Sequence, residues 1–556
     1  MPDEPNPIVY PELIFGIAGP IGIDIDAISN TLTEALQAVD YSTVPIRITD
    51  EIKGEPTEVA QTSTSDYEAT MAYKMDHASA VCRRYNAADT LMRFAIRAIR
   101  QSRASCSTYN NLESQEDLHD TTPPEEAVSA RTAYVIRQLK RPEEVELLRR
   151  VYGRQFILIS AYGSAESRKR IIEQKLKRSL HLDVPDHEIS ARADKLMHRD
   201  MNEDGDVHGQ HLRETFHRAD VFIDGIHKEE MKAKTVRFVD ALFGKTEIAP
   251  TKAEYGMYAA KSAALRSSDL SRQVGAAIFS AEGEIITQGC NEVPKAFGGT
   301  YWDGEDPDFR DIKIGHDPND LLKREVIRDL MERLQRGGML SEAAQQIGNS
   351  AQIVDRLTQK PSSTPAVGEG ALYGAAVTDL TEYGRVVHAE MCAICDAARL
   401  GRSLKGATLF CTTFPCHNCT KHVLAAGISK VVFMEPYPKS KAKELHENEI
   451  EIEQESETHV SFMPFLGISP YRYRDIFQKG RRKKKNGDAV EWYEGHPRPM
   501  IDSPIPTYVD SEAWEISQLA GDFEGPVADA VDTGTATDPP RNTNQGKKWW
   551  QFRQKN

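Results

Sequence analysis

The sequence predicts an α/β protein made of two successive sheet-and-helix units. Three observations carry that reading. Short apolar runs alternate with helical stretches over the first 245 or so residues, the pattern of a parallel sheet. The punctuation changes near residue 250, where two alternating runs face each other across a short turn. A chain of 556 residues is also too long for one hydrophobic core. The expected division is 1–245, then 250–480 with an insertion at about 297–383, then 481–556 as a basic segment and a largely disordered tail.

In the first unit, Glu12 to Ile17 reads as a strand, followed by a glycine-rich turn and a helix from about Ile25 to Ala38. Val44 to Ile48 is a second strand, helices follow to about Gln101, and Gln155 to Ser160 and Val221 to Asp224 are further strands. Asn110 to Glu126 is polar and acidic with prolines, the composition of a mobile loop, and Glu166 to Arg199 is charged and helical, in the manner of a lid. In the second unit, Gln273 to Ser280 and Glu284 to Cys290 form a hairpin across Ala281-Glu282-Gly283. The insertion holds a helix from about Pro318 to Gln335 and a Pro/Ser/Thr-rich stretch from Lys360 to Pro365. Strands follow at Ala407 to Thr412 and Lys430 to Met434, and Lys439 to Glu457 is acidic and reads as helical. From Ala520 the chain is rich in Gly, Asp, Thr and Pro, as in disordered segments. Two readings stay open for Trp549-Trp550: docking on a neighbour, or an unplaced tail.

Composition narrows the function. Hydrophobic content of 40% and charged content of 28% are ordinary for a globular chain, and no apolar run approaches the length that spans a bilayer. The leader Met1 to Pro7 carries acids and no Lys or Arg, against a secretory signal, so the expectation is cytoplasmic residence without a membrane partner. A formal charge of −15 disfavours a dedicated nucleic-acid binder. The basic run Arg481 to Lys485 fits either a solvated loop beside Asn486-Gly487 or a phosphate-attracting patch. Of eight cysteines, five lie between Cys392 and Cys419, a clustering that suggests a metal site in a reducing compartment.

The chemistry sits in His388-Ala389-Glu390 and Pro415-Cys416-His417-Asn418-Cys419, with 24 residues between Glu390 and Pro415. One imidazole and two thiolates, His388, Cys416 and Cys419, can hold a zinc ion and leave its fourth position to a water whose pKa falls towards about 7. Glu390, two residues from His388, can reach that water without ligating the metal, and so act as the proton shuttle. His388 to Leu400 is free of Gly and Pro and stops at Gly401, while Pro415 starts a second helix that stops at Gly427. Both ligand sets then sit at helix N-termini, where the dipole favours thiolate. Cys392 and Cys395 lie inside the first helix and read as small core-facing residues, and His417 is expected to point away.

H-x-E followed by P-C-x-x-C is the signature of the zinc-dependent nucleobase deaminases. Residues 250–480 resemble the cytidylate-type deaminases. Arg272-Gln273-Val274-Gly275-Ala276 is similar to their opening strand, and Gly289-Cys290-Asn291-Glu292-Val293-Pro294 to their G-x-N-x-x-P turn, with Glu292 where a glycine is usual. The resemblance implies a sugar contact for Asn291, with turn formation as the alternative, and substrate binding for Arg272. Leu380 to Ile394, Thr412 to Lys421, Glu435 to Ser440 and Tyr134 to Gly153 together resemble a bacterial anti-phage subfamily of dCTP/dCMP deaminases. That resemblance implies a P-loop-kinase-like N-terminal domain joined to a cytidine-deaminase-like α/β/α domain. It further implies conversion of dCTP and/or dCMP to dUTP or dUMP, depletion of the dCTP pool as defence, an inhibitory small RNA, and homo-oligomers.

The N-terminal turn departs from a working P-loop. Setting Gly22-Ile23-Asp24 on the G-K-[ST] end puts Ile17 at the first glycine and replaces both functional side chains, with Asp24 set to repel phosphate. A nest of Gly16, Gly19 and Gly22 could still hold an anion. Three readings stay open: a degenerate regulatory or structural domain, a sensor of a nucleotide effector, and an active kinase. Two alternatives to the nucleotide deaminase also stand: a polynucleotide-editing deaminase, and a catalytically silent nucleotide- or RNA-sensing scaffold.

Overall fold

The structure, a computed structural model, describes residues 9–519 except 61–65, 114–127, 181–183, 204–205, 207, 360–369, 381, 438, 491, 493–495 and 502–506, and of 106–113 the backbone alone. Most of the loop expected at Asn110 to Glu126, the Lys360 to Pro365 stretch, the leader, and the tail from Ala520 with Trp549-Trp550 lie outside the described residues.

Five strands, β1 (Leu13–Ala18), β2 (Ser42–Arg47), β3 (Thr132–Leu139), β4 (Phe156–Tyr162) and β5 (Val221–Asp224), form a parallel sheet in the order 2-3-1-4-5. All six residues of β1 are buried, as expected of a central parallel strand covered on both faces. Alternation then splits its side chains: Ile14 joins Phe94, Leu148 and Phe156 on one face, and Leu13 and Phe15 join Ile28 and Phe238 on the other. β3 escaped the sequence reading because polar Arg137 and Gln138 interrupt its apolar run. Arg137 pairs with Asp26 at 2.7 Å, and Gln138 takes a positive φ of 68° beside a shift in register against β1.

The second sheet holds β6 (Gly275–Phe279), β7 (Ile285–Cys290), β8 (Thr408–Thr413), β9 (Lys430–Glu435), β10 (Ile450–Ile452) and β11 (Val460–Pro464), in the order 10-11-9-8-6-7. β6 and β7 form the expected antiparallel hairpin, β6 runs antiparallel to β8, and β8, β9, β11 and β10 are mutually parallel. The stretch Lys439 to Glu457 is not one helix. It forms a single turn at Ala442–His446 and then turns into β10, because Ile450 is buried against the sheet.

After β11 the chain returns to the first sheet, where β12 (Gly467–Ile468) pairs antiparallel with β5. Glu254 holds this junction: it is buried, pairs with Arg237 at 2.6 Å and accepts the Ile468 N–H at 2.9 Å. Apolar packing continues from one sheet to the other through Phe222, Met257, Phe410 and Phe465. Part of the segment read as basic run and tail is also ordered against the first sheet, as the helix Tyr508–Ser517. Its Glu512 reaches the buried Arg103 at 2.5 Å, Arg103 also meets Glu12 at 2.7 Å, and the Tyr508 hydroxyl donates to Glu12 at 2.9 Å. Among the described residues no helix is long and apolar enough to cross a membrane.

Candidate active site

His388 is the N-cap of the helix Ala389–Arg399, and Cys416 is the N-cap of the helix His417–Ala425. Neither side chain caps its helix, so both are left to point elsewhere. Asn291, just past β7, does the capping that His388 omits: its Oδ1 accepts the Ala389 N–H at 2.9 Å. β7 can approach this helix only because residue 289 is glycine, where a Cβ would stand 2.2 Å from the Ala389 carbonyl oxygen.

The three donor atoms converge. His388 Nδ1 lies 3.4 Å from Cys416 Sγ and 3.4 Å from Cys419 Sγ, and all three lie within 4.8 Å of one another. Ligands at ordinary Zn–N and Zn–S lengths on a tetrahedron stand about 3.5 Å apart, so the cluster fits zinc as it is. Its electrostatics single out Cys416 as the readier thiolate, since the Cys416 hydrogen bond and then burial push the Cys419 thiol well up. The Cys416 thiol is pushed down to about 4, first by the Cys419 hydrogen bond and then by His388, and the His388 imidazole is pushed up to about 9, first by the bond to Cys416. Glu390 is 4% exposed, and burial pushes its carboxyl above the usual carboxylate range, which suits a group that must both take and return a proton.

These groups face a cavity of about 210 Å³, whose wall includes His388, Glu390, Cys416, Asn291 and Arg272. Cys419 is buried behind it. Asn291 spends both amide hydrogens, on Asp269 at 3.0 Å and on the Arg272 carbonyl at 3.3 Å, which leaves one lone pair of Oδ1 free. Arg272 forms an ion pair with Glu435 at the cavity edge.

Residues 250–435 match the cytidine and deoxycytidylate deaminase zinc-binding region. The chain is 47% identical over 55 residues to the deoxycytidylate deaminase of Enterobacteria phage T2, covering 10% of this chain and 29% of the relative. It is 39% identical over 54 residues to human deoxycytidylate deaminase, again 10% and 29%. The chain thus spans less than a third of the length of the curated relatives it matches. A crystal structure of dCMP deaminase from the cyanophage S-TIM5 aligns with 39% of this chain and 99% of its own, at 16% identity and a TM-score of 0.20. Residues 250–435 thus match a zinc-binding region, and His388, Cys416 and Cys419 form a candidate metal site within it.

Sequence reasoning missed several walls of this cavity. Asp317 and Asn319 come from the insertion and Asp269 from the stretch before β6, and only the three-dimensional fold brings them to the cavity. Tyr437 sits in the quoted Glu435 to Ser440 motif and lines the cavity, and its neighbour Ser440 donates to the Pro415 carbonyl at 2.9 Å beside the first thiol ligand. Cys411, fully buried on β8, is electrostatically coupled to Glu390. Glu292 needs no glycine-like backbone. Its buried carboxylate accepts from Ser268 N at 3.0 Å and Ser268 Oγ at 2.7 Å, and its backbone bridges to Val387. Cys392 is buried as expected, but Cys395 faces solvent, one turn along on the outer side of the helix.

The glycine turn lies at the end of β1, and none of its residues lines the cavity around His388. Gly16 lies within the strand, paired with Ile136 and Leu158 on either side, where a Cβ would stand 2.9 Å from the Phe156 ring. Gly19 and Gly22 lie in the turn itself. There the Gly19 carbonyl accepts from Lys140 Nζ at 2.7 Å and the Ile21 N–H donates to Asp200 at 2.7 Å. Asp24 caps the following helix by accepting the Ala27 N–H at 3.0 Å, so a carboxylate holds the place a phosphate would take.

Proposed function

We propose that this chain is a zinc-dependent hydrolytic deaminase of deoxycytidine nucleotides, converting dCMP and/or dCTP to dUMP or dUTP. The observation that carries the reading is the His388/Cys416/Cys419 cluster at zinc-ligand spacing with the buried Glu390 beside it in one cavity. Bound there, zinc supplies the Lewis acidity that makes water a nucleophile at neutral pH. Glu390 takes the proton of the attacking water, delivers it to the pyrimidine N3, and then assists departure of the amine. The free lone pair of Asn291 accepts a sugar hydroxyl. Arg272, once released from Glu435, meets the phosphate.

On this reading residues 250–480 are the catalytic unit and 1–245 a degenerate P-loop-kinase-like unit with a regulatory or structural role. The spent groups of its glycine turn support that view over an active kinase. Depletion of the dCTP pool as an anti-phage defence, restraint by a small RNA, homo-oligomers and cytoplasmic residence rest on the family resemblance. The test is ammonia release from dCMP and from dCTP by zinc-loaded chain. Glu390→Ala should lower it by about 10²–10⁴-fold while zinc stays near one per chain. Undiminished release in that variant would sink the assignment.

A further inference from the structure

The cavity around His388 carries more carboxylates than an anionic substrate explains. Its wall holds two guanidinium cations, Arg272 and Arg385, and both are engaged. Arg272 pairs with Glu435, and Arg385 pairs with buried Asp311 at 3.0 Å and donates to the Phe309 carbonyl at 2.8 Å. Beside Glu390 the same wall carries Asp269 and Asp317. Among the described residues the Asp269 carboxylate meets neutral donors alone, Asn291 Nδ2 at 3.0 Å and the Ser271 N–H at 3.0 Å. Asp317 likewise accepts the Asn319 N–H at 2.8 Å, at the start of the helix Pro318–Arg336. Neutral donors orient a carboxylate and do not cancel its charge. The acids also share one neighbourhood: burial lifts the Asp311 carboxyl above its usual range, Arg385 opposes, and Asp317 and Asp269 lift it further.

On the deaminase reading Asn291 fixes where the sugar sits. A 2′-deoxynucleotide with its phosphate on the 5′-oxygen has one free sugar hydroxyl, the 3′ one, so this is the group that meets Asn291 Oδ1. The Nδ2 of the same amide is held by Asp269. Ordinary hydrogen-bond lengths on the two sides of one amide keep the 3′-oxygen within about 8 Å of the Asp269 carboxylate. A hydroxyl tolerates that charge, and a phosphate ester on the same oxygen does not. Two like unit charges about 8 Å apart, at an effective dielectric of about 20, lower affinity on the order of 30-fold. With Arg272 taken by the 5′-phosphate and Arg385 tied to Asp311, no cation of the wall is left to answer a second phosphate.

We propose that Asp269 is a specificity-determining residue, whose carboxylate rejects substrates that carry a phosphate on the 3′-oxygen. The chain then accepts free 5′-nucleotides and refuses a deoxycytidine inside a polynucleotide. The proposal rests on the deaminase reading and adds what that site turns away.

The test compares dCMP with deoxycytidine 3′,5′-bisphosphate, which differ in the 3′-phosphate alone. Both are titrated calorimetrically into the full zinc-loaded chain carrying Glu390→Ala, so that binding is read without turnover. dCMP should bind at least about tenfold more tightly. Asp269→Asn, added to that background, should narrow the ratio at least about threefold. A variant that weakens both ligands alike and leaves the ratio in place would show that Asp269 only positions Asn291, and would overturn the assignment. A second arm needs no change at residue 269. Raising salt from about 0.1 to about 1 M shortens the Debye length from about 10 to about 3 Å, and should narrow the ratio as well. A ratio that salt does not move would mean refusal by shape, and would overturn the role of the charge. Equal affinity for the two nucleotides would overturn the exclusion and leave the deaminase reading standing. Binding of neither would fail that reading and the exclusion with it.

Discussion

Two helices start where parallel strands end, Ile25–Gln37 after β1 and His417–Ala425 after β8, and they treat their N-termini in opposite ways. After β1 the exposed groups of the turn are consumed within the chain: Asp24 caps its own helix, Asp200 takes the Ile21 N–H, and Lys140 takes the Gly19 carbonyl. After β8 the N-cap Cys416 makes no capping bond, and its thiol turns to His388 and Cys419. A helix start advertises chemistry when its cap is left unspent. The same topology with its cap satisfied is a structural joint. The contrast explains how one chain can carry two strand-to-helix turns of phosphate- or metal-site type and leave one of them chemically quiet.

The sharpest way to break the contrast is to remove one group from each turn. Cys416→Ala should drop zinc, measured by atomic emission, from about one per chain towards none, and abolish deamination, because two donors do not make a closed site. Asp24→Ala should leave zinc and turnover intact. Zinc loss in the second variant, or retention in the first, would erase the distinction. Next in size is the buried pair of carboxylates on Arg103. Arg103→Met leaves Glu12 facing Glu512 with only Arg100, 3.9 Å from Glu512, as a neighbouring cation, and should cost about 3–5 kcal/mol in denaturant unfolding. Smaller again is Asp24→Ala itself, about 1 kcal/mol from the lost cap, with Asp24→Ser recovering most of it. A null effect there would mean that Asp24 is not the cap that closes the turn.

The candidate metal site was legible because its chemistry is local: each ligand lies at the start of a helix whose bounds are signalled by Pro415 before one and by Gly401 and Gly427 after the two, and the spacing alone names the donors. The strands β1, β2, β4 and β5 and the β6–β7 hairpin were legible from apolar runs and turn residues. What stayed hidden is long-range. β3 hides behind Arg137, whose partner Asp26 lies elsewhere in the chain, and Gln138, which falls where the register against β1 shifts. The helix Tyr508–Ser517 is fixed by ion pairs to Arg93, Arg103 and Arg150, some 360 to 420 positions away in sequence. Asp317 and Asn319 reach the pocket from the insertion expected at about 297–383. Local patterns cannot show contacts that only the assembled fold makes.

The smallest effect probes where the two halves touch at the pocket edge. His217, on the first half, is half-buried, donates its Nδ1–H to the Arg213 carbonyl 3.3 Å away, and lies in the field of Glu435, Arg272 and Arg218. Burial pushes its imidazole below the usual histidine value, with Glu435 opposing. A folded chain that holds this proton more weakly than the unfolded chain is at full advantage above the free histidine value, about 6.5, and loses that advantage as pH falls through it towards the lowered folded value. Tm of the native chain should therefore decline more steeply between about pH 7 and pH 5 than that of His217→Gln, which has no proton to gain. At the upper end of that range the two slopes should coincide. Parallel declines throughout would mean that His217 is solvated as in the unfolded chain, and that the first half does not press on the Arg272–Glu435 edge of the pocket.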